Sequence, residues 1–210
     1  MKPVGVYNAP FGFGGVRYTT SAPNVQAPEV PAVSTIIGEA PVVQMVDLPG
    51  DYFLLGLEAP AQAARTRPGH FYMLGVPEAG LSHDPLLNRP ISALDVRAGA
   101  DGMPTEVLFL VKKVGRGTRR MGRLRPGDRL LCHGPLGRPF PDPPAGARLV
   151  LAGGGVGIAP LFCCAREWGR TAEVTLFYGG RTATELPMAG AFAETGVRSV
   201  RLVTEDGSLG

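Results

Sequence analysis

The chain has 210 residues, of which 44% are hydrophobic and 19% charged, and this composition excludes a protein that is disordered throughout. Its formal net charge is only +3, and no cluster of Lys and Arg with interleaved aromatic residues indicates a nucleic-acid-binding protein. No apolar run reaches the roughly 18 residues of a membrane span, and the chain does not begin like a signal peptide, so we expect a cytoplasmic protein.

The first 35 residues are rich in Gly, Pro, Ser and Thr and show no sustained hydrophobic period, which predicts a flexible tail. From residue 36 to residue 140, short apolar runs alternate with turn signals such as "LPGD" and "RPGD". This spacing predicts an antiparallel barrel or sandwich. The predicted strands lie near 40–47, 51–58, 70–76, 90–96, 105–114 and 128–133, with one short helix near 118–124.

A second domain is predicted over 148–210, after the proline-rich linker "FPDPPAGA" at 140–147. Its pattern of alternating strands and helices predicts a parallel sheet with helices on its faces. Because three strands make a small sheet, we expect this domain to be incomplete and the sequence to be a truncated form of a longer protein. The predicted strands are 148–153, 173–180 and 199–206, and the predicted helices are 159–169 and a segment near 187–195.

The segment "LAGGGVGIAPL" joins the first of these strands to its helix. Gly153, Gly154, Gly155 and Gly157 let the backbone turn tightly and approach a ligand closely, and Pro160 suits the first turn of a helix. The free amides and the dipole at a helix start favour an anion such as a pyrophosphate. The alternative is that the glycines only turn a strand into a helix, because proline replaces the third glycine of the dinucleotide fingerprint.

A second candidate segment, "LLNRPIS", lies in the predicted barrel. Arg89 offers a planar charged group that suits phosphate, and Pro90 keeps the chain extended. Strand alternation places Ile91 on the side of Arg89 and Ser92 on the opposite side. The alternative is a surface arginine that precedes an edge strand.

A third candidate segment, "LVKKVGRGTRRMGRL", carries Lys112 and Lys113 on a strand that leads to Gly115 and Gly117. Thr118 is then the expected N-cap of the following helix. Backbone amides behind basic residues predict a second anion site. A solvated basic face is the alternative.

Together with "GDRLLCHGPLG", "FYGGRT" and "TEDGSLG", these segments make residues 36–210 similar to the ferredoxin reductase superfamily. The subfamily that they resemble most is the electron-transfer subunit of class B dihydroorotate dehydrogenase. The resemblance implies a two-domain protein with a β and an α/β part, in which a six-stranded antiparallel barrel binds FAD and the following domain binds NAD.

The resemblance also implies roles for individual residues. Arg89 would bind the pyrophosphate of FAD, and Ser92 would lie near the reactive edge of the flavin ring. The glycine stretch and the end of "FYGG" would bind the nicotinamide cofactor, with "TEDG" near the nicotinamide. The residues implied for FAD are Arg89, Pro90, Ile91, Ser92, Val111, Lys112, Lys113, Gly117 and Thr118. Those implied for NAD are Gly153, Gly154, Gly155, Gly157, Pro160 and Gly179.

The cysteines depart from the family pattern. The family carries four cysteines for a [2Fe-2S] cluster near its C-terminus, and Cys132, Cys163 and Cys164 do not match those positions. We therefore expect the chain to lack the cluster, and we assign no metal ligand. We also assign no catalytic residue, since His70, His83 and the third histidine, His133, are scattered and no acid–base pair is needed when the cofactor carries the hydride.

The function that these resemblances imply is a flavoprotein subunit that passes electrons between NAD(H) and a catalytic dehydrogenase subunit through FAD. Such a subunit works in a hetero-oligomer, a heterotetramer, that serves pyrimidine biosynthesis. One alternative is a related diaphorase subunit of an NAD(P)H–ferredoxin, hydrogenase or sulfite reductase system. Another is a non-catalytic module that keeps the barrel as a docking surface. We expect NADH rather than NADPH, although Arg181 could meet a 2′-phosphate.

Overall fold

The computed structural model describes residues 35–75 and 87–210, all within one compact unit, Val33–Gly210. The predicted tail and His83 lie outside the described residues. Within them, no helix is long and apolar enough to cross a membrane. The predicted fold class is confirmed, because six antiparallel strands close a barrel and three parallel strands form a separate sheet.

The barrel strands occur in the spatial order β1-β2-β5-β4-β3-β6. Each adjacent pair of strands is antiparallel, and the pairing of β1 with β6 closes the barrel. Two short helices lie between the strands, and the four-residue helix α1 was not predicted because it is too short to show a period. The elements are β1 (Ile36–Leu48), β2 (Tyr52–Glu58), α1 (Pro60–Ala63), β3 (Phe71–Gly75), β4 (Arg89–Ala98), β5 (Pro104–Lys112), α2 (Arg116–Met121) and β6 (Arg129–Leu136).

Every second side chain of β2 and β5 points into the barrel core. In β2, alternate apolar side chains point inward, and those of β5 lie opposite them in register. The buried pairs are Phe53 with Val111, Leu55 with Phe109, and Leu57 with Val107. The ring of Tyr72 meets the ring of Phe109 edge-on at 5.2 Å between centroids.

The second part of the fold is a parallel sheet in the order β7-β8-β9. A 3₁₀ turn (Gly155–Ile158) and α3 follow β7, and α3 packs against the barrel strand β4. The helix predicted near 187–195 is only a 3₁₀ segment, Gly190–Glu194. The elements are β7 (Arg148–Gly154), α3 (Ala159–Trp168), β8 (Glu173–Gly180) and β9 (Ser199–Thr204), with a further 3₁₀ turn at Ala183–Glu185.

A second apolar core joins the barrel to the parallel sheet. The outward-facing side chains of the barrel, among them Leu94 and Leu110, pack in one cluster with Phe162 of α3 and Leu176 of β8. An ion pair between Asp95 and Arg166, 3.4 Å apart, borders this contact. Because β5 is buried on both faces, it carries a continuous apolar run rather than an alternating one. This shared core brings the glycine stretch against the barrel.

Candidate functional site

The barrel strands β4 and β5 pair along only part of their lengths. Their pairing begins at Ala93 opposite Phe109. Before Ala93, β4 pairs with β3 on its other side, and beyond Phe109, β5 remains paired with β2. The two strands therefore diverge, and a gap opens in the barrel wall between 89–92 and 110–112.

A cleft of about 360 Å³ lies at this gap, a volume typical of small-molecule sites. Arg89 and Ser92 both line it, although alternation predicted opposite faces for them. The reason is that the cleft borders the open edge of β4 rather than one of its faces, so residues of both faces reach it. The lining residues are Arg89, Pro90, Ile91, Ser92, Leu110, Val111, Lys112, Val114, Thr118, Val156, Gly157, Ala159 and Pro160.

Arg89 lies beside the start of helix α2. Its Nη1 group donates a hydrogen bond to the carbonyl of Leu87, and among the described residues it has no carboxylate partner. A Cβ atom at Gly117 would come within 2.6 Å of Arg89 Nε, so the guanidinium occupies the space that this glycine leaves. Arg89 therefore brings a charged guanidinium group to the wall of the first cleft.

The turn before α2 is closed by Thr118. Its Oγ1 accepts hydrogen bonds from the amides of Val114 and Gly115, each at 3.1 Å. The short helix predicted near 118–124 is present, but it covers Arg116–Met121 with Gly115 as its N-cap, so the prediction of Thr118 as N-cap is wrong. Thr118 holds the turn from the third helical position instead, because its hydroxyl reaches back to the N-cap amide.

The glycine stretch divides between two clefts. Gly157 and Pro160 line the first cleft together with the barrel residues, and no atom lies within 4 Å of a Cβ built at Gly157. Gly154 and Gly155 line a second cleft instead. Pro160 lies in the first turn of α3, as predicted. The stretch therefore faces both clefts.

The second cleft lies at the carboxyl edge of the parallel sheet, where open α/β sheets bind their ligands. Its volume is about 410 Å³. Four glycines contribute to it, and Gly155 has a positive φ of 51° that suits glycine. The lining residues are Gly154, Gly155, Gly179, Gly180, Val203, Thr204 and Glu205.

A group of three charged residues lies between the clefts. Lys112 Nζ, at the first cleft, is 3.2 Å from Glu185 Oε1, and Arg181 binds the same carboxylate through Nη2 at 2.6 Å and Nε at 3.1 Å. The hydrogen bonds from Arg181 and Lys112 lower the pKa of Glu185 to about 2. Burial opposes protonation of Lys112, but the hydrogen bond that Lys112 donates to Glu185 and the negative charge around it raise the pKa of Lys112 overall. Because its pKa is this low, the carboxylate of Glu185 is ionised at neutral pH.

Three predicted site residues, Lys113, Gly117 and Gly153, line neither cleft, although Gly117 adjoins Arg89. The Nζ of Lys113 forms an ion pair with Asp47 at 2.5 Å and lies over the ring of Phe53. Gly153 is packed against α3, where an added Cβ would meet Leu161 at 2.8 Å. The sequence pattern did not identify Glu185, because its partner Lys112 is 73 positions away along the chain.

The cysteines and the described histidines do not form a metal site. Cys132, Cys163 and Cys164 are free thiols with buried side chains, and burial raises the pKa of each. Over residues 35–75 and 87–210, no group of three or more His, Cys, Asp and Glu side chains could hold a metal ion. His70 is buried, and its Nδ1 accepts the amide hydrogen of Arg67 at 3.0 Å.

The sequence is similar to several characterised proteins, although no family model matches it. It is 36% identical over 164 residues to the electron-transfer subunit of dihydroorotate dehydrogenase B (NAD(+)) from Desulforamulus reducens, covering 77% of this chain and 59% of that protein. It is 34% identical over 159 residues to the same subunit from Geobacillus thermodenitrificans, covering 74% and 58%. The chain thus spans less than two thirds of the length of these relatives.

Solved structures share the fold. An NADH-dependent reduced ferredoxin-NADP oxidoreductase superimposes with a TM-score of 0.67 at 28% identity, over 81% of this chain and 58% of that one. The ferredoxin reductase in carbazole 1,9a-dioxygenase superimposes with a TM-score of 0.66 at 27% identity, over 83% and 52%.

Proposed function

Because the chain belongs to the ferredoxin reductase superfamily, we propose that its first cleft binds FAD and its second cleft binds the phosphates of NADH. In this proposal it is an electron-transfer subunit that passes electrons between NADH and a catalytic dehydrogenase subunit in a hetero-oligomer. The catalytic partner is a dihydroorotate dehydrogenase, as the names of its sequence relatives suggest.

The observation that carries the proposal is the convergence of two distant segments on the first cleft. Arg89 and Ser92 come from the barrel, whereas Gly157 comes from the 3₁₀ turn after β7 and Pro160 from the first turn of α3. A flavin bound between β4 and β5 would therefore face the segment that begins the dinucleotide site. This arrangement supports direct contact between the two cofactors, since the two clefts share one glycine stretch.

The residues of the chain have distinct tasks in this proposal. Arg89, which has no carboxylate partner among the described residues, binds a flavin phosphate, and Thr118 keeps the adjoining turn closed. The glycines of the second cleft let the dinucleotide phosphates approach the backbone. Lys112 presents positive charge where negative charge develops on the flavin. FAD held by these residues would supply the chemistry of hydride acceptance from the nicotinamide and one-electron release to a partner.

An iron–sulfur cluster does not fit the described residues. None of the three cysteines lies in a group of metal-binding side chains there, and all three thiols are buried. The proposed electron path therefore includes no iron–sulfur cluster bound by the described residues.

A second candidate function differs in the electron partner. The similarity to a reduced ferredoxin-NADP oxidoreductase at 28% identity favours a diaphorase subunit that serves a ferredoxin. The cofactor sites would be the same in both cases, so only the partner protein distinguishes the two.

The test is purification of the full chain with FAD, followed by anaerobic titration with NADH. We expect stoichiometric flavin whose visible absorbance is bleached by NADH, and a chain without bound flavin would contradict the proposal. Co-expression with a dihydroorotate dehydrogenase catalytic subunit should then yield a complex in which dihydroorotate also bleaches the flavin. Reduction of a ferredoxin alone would favour the second candidate, and a flavin that NADH does not reduce would indicate a docking module.

A further inference from the structure

Glu185 connects the two clefts without lining either of them. Its carboxylate binds Lys112 at 3.2 Å on the side of the first cleft. On the other side it binds Arg181, which directly follows Gly180 of the second cleft. The side chain of Glu185 is 16% exposed and that of Lys112 is 22% exposed, so water screens this pair only in part.

The segment that carries Glu185 is held firmly in place. An added Cβ at Gly180 would meet Leu186 Cδ2 at 2.9 Å, so the strand end packs closely on this turn. On the barrel side, a Cβ at Gly50 would come within 2.8 Å of the Thr184 carbonyl. The 3₁₀ turn Ala183–Glu185 therefore packs between β8 and the hairpin that joins β1 and β2. This packing fixes the position of the Glu185 carboxylate.

Lys112 is fixed from two sides. Its Nζ lies 4.9 Å from the centroid of the Tyr52 ring, a favourable cation–π distance, and Glu185, which follows β8 of the parallel sheet, binds it from the other side. Both contacts hold the ammonium group beside the first cleft.

We infer that Glu185 is a positioning residue that balances the charge of Lys112 and thereby sets the reduction potential of the flavin in the first cleft. This inference rests on the proposed function. A flavin gains negative charge on reduction, and an unbalanced ammonium group nearby stabilises that charge. The carboxylate of Glu185 weakens this stabilisation, so it keeps the potential lower and the reduced flavin a stronger electron donor.

The test is the midpoint potential of the flavin in the full-length holoprotein, measured by spectroelectrochemistry. Glu185→Gln keeps the shape of the side chain and removes its charge. We expect a more positive midpoint potential. The shift corresponds to an increase, on the order of tenfold, in the affinity for reduced flavin relative to the affinity for oxidised flavin. The matched control is Glu173→Gln, which removes a carboxylate paired with Arg198 at 2.8 Å at the opposite end of β8. Its potential should equal that of the parent.

A second variant keeps the inference open to test if Glu185→Gln does not fold. The side chain of Arg181 is largely exposed, so Arg181→Gln should fold. Glu185, the carboxylate partner of Arg181, would then interact with Lys112 alone. We expect a more negative potential, with Arg198→Gln as the control. An unchanged or lowered potential in Glu185→Gln with flavin retained, or an unchanged one in Arg181→Gln, would overturn the inference. Absence of flavin from the parent protein would instead refute the proposed function, and the inference with it.

Discussion

Gly117 and Arg89 occupy adjoining space, because a Cβ atom at position 117 would lie 2.6 Å from Arg89 Nε and 2.8 Å from Cζ. The two residues come from helix α2 and strand β4, which meet at the mouth of the first cleft. The position of the guanidinium therefore depends on the absence of a side chain at residue 117.

Gly117→Ala should displace the guanidinium of Arg89 without unfolding the protein, since the end of a long side chain moves more easily than backbone. We expect FAD retention to weaken by about tenfold, the value of one charge-assisted hydrogen bond. The matched control is Gly115→Ala, two residues earlier, where an added Cβ meets no atom within 4 Å. Equal FAD affinity in the two variants would contradict this placement of Arg89.

Arg89→Ala should weaken FAD retention more strongly, because it removes both the charge and the fork of hydrogen-bond donors. We expect a loss of about tenfold or more in FAD affinity, measured as the flavin-to-protein ratio after dialysis. Arg89→Lys should recover part of the loss, since it restores the charge alone. An unchanged ratio in Arg89→Ala would show that the phosphates bind elsewhere.

Gly157→Val should obstruct the first cleft from the side of the glycine stretch, because the space around Gly157 is open. We expect the rate of flavin reduction by NADH to fall by about tenfold or more while the barrel residues keep FAD bound, since an isopropyl group at the border of the two clefts disturbs the approach of the two rings. Stopped-flow absorbance measures this rate. Gly38→Val, at an open position of β1, is the control. A normal rate in Gly157→Val would remove this residue from the proposed contact.

His70 should make the protein less stable in mild acid. It is 2% exposed, and burial together with the nearby charge of Arg67 lowers its pKa below 6.5. Below a pH of about 6.5 the unfolded chain takes up a proton that the folded protein does not, so the stability that is complete above this pH falls as the pH decreases.

Denaturant unfolding at pH values between about 7.5 and about 5.5 measures this dependence. We expect His70→Gln to reduce the change of the unfolding free energy with pH, and His133→Gln, the other described histidine, serves as the control. The same slope in His70→Gln as in the parent protein would assign the acid sensitivity to other groups.

The barrel and the parallel sheet were predictable because their signals are local. The barrel strands are short apolar runs such as "YFLLGL" in β2, and the turns at 48–51 and 125–128 that bound them carry glycine and proline. The helical rhythm after "GIAP" marked α3. Each of these signals depends on neighbours within one strand or one helical turn. The fold class therefore followed from the pattern alone, whereas the start of helix α2 at Arg116 did not.

The candidate site was only partly predictable. The motifs around Arg89, Lys112 and the glycine stretch identified residues of both clefts, since each motif has a local chemical purpose. They could not show that Lys113 turns away to Asp47. Nor could they show Glu185, because nothing in its own turn indicates a lysine partner from the barrel.

For this protein the sequence by itself determined which faces of each strand and helix are apolar, where the chain turns, and which segments suit phosphate. Only the tertiary structure decided that β4 and β5 separate beyond Ala93 and Phe109, that Gly157 faces the first cleft, and that Glu185 reaches Lys112. The physical reason is that periodicity reports burial within one element. The distance between side chains of different elements depends instead on register and on how a shared core packs.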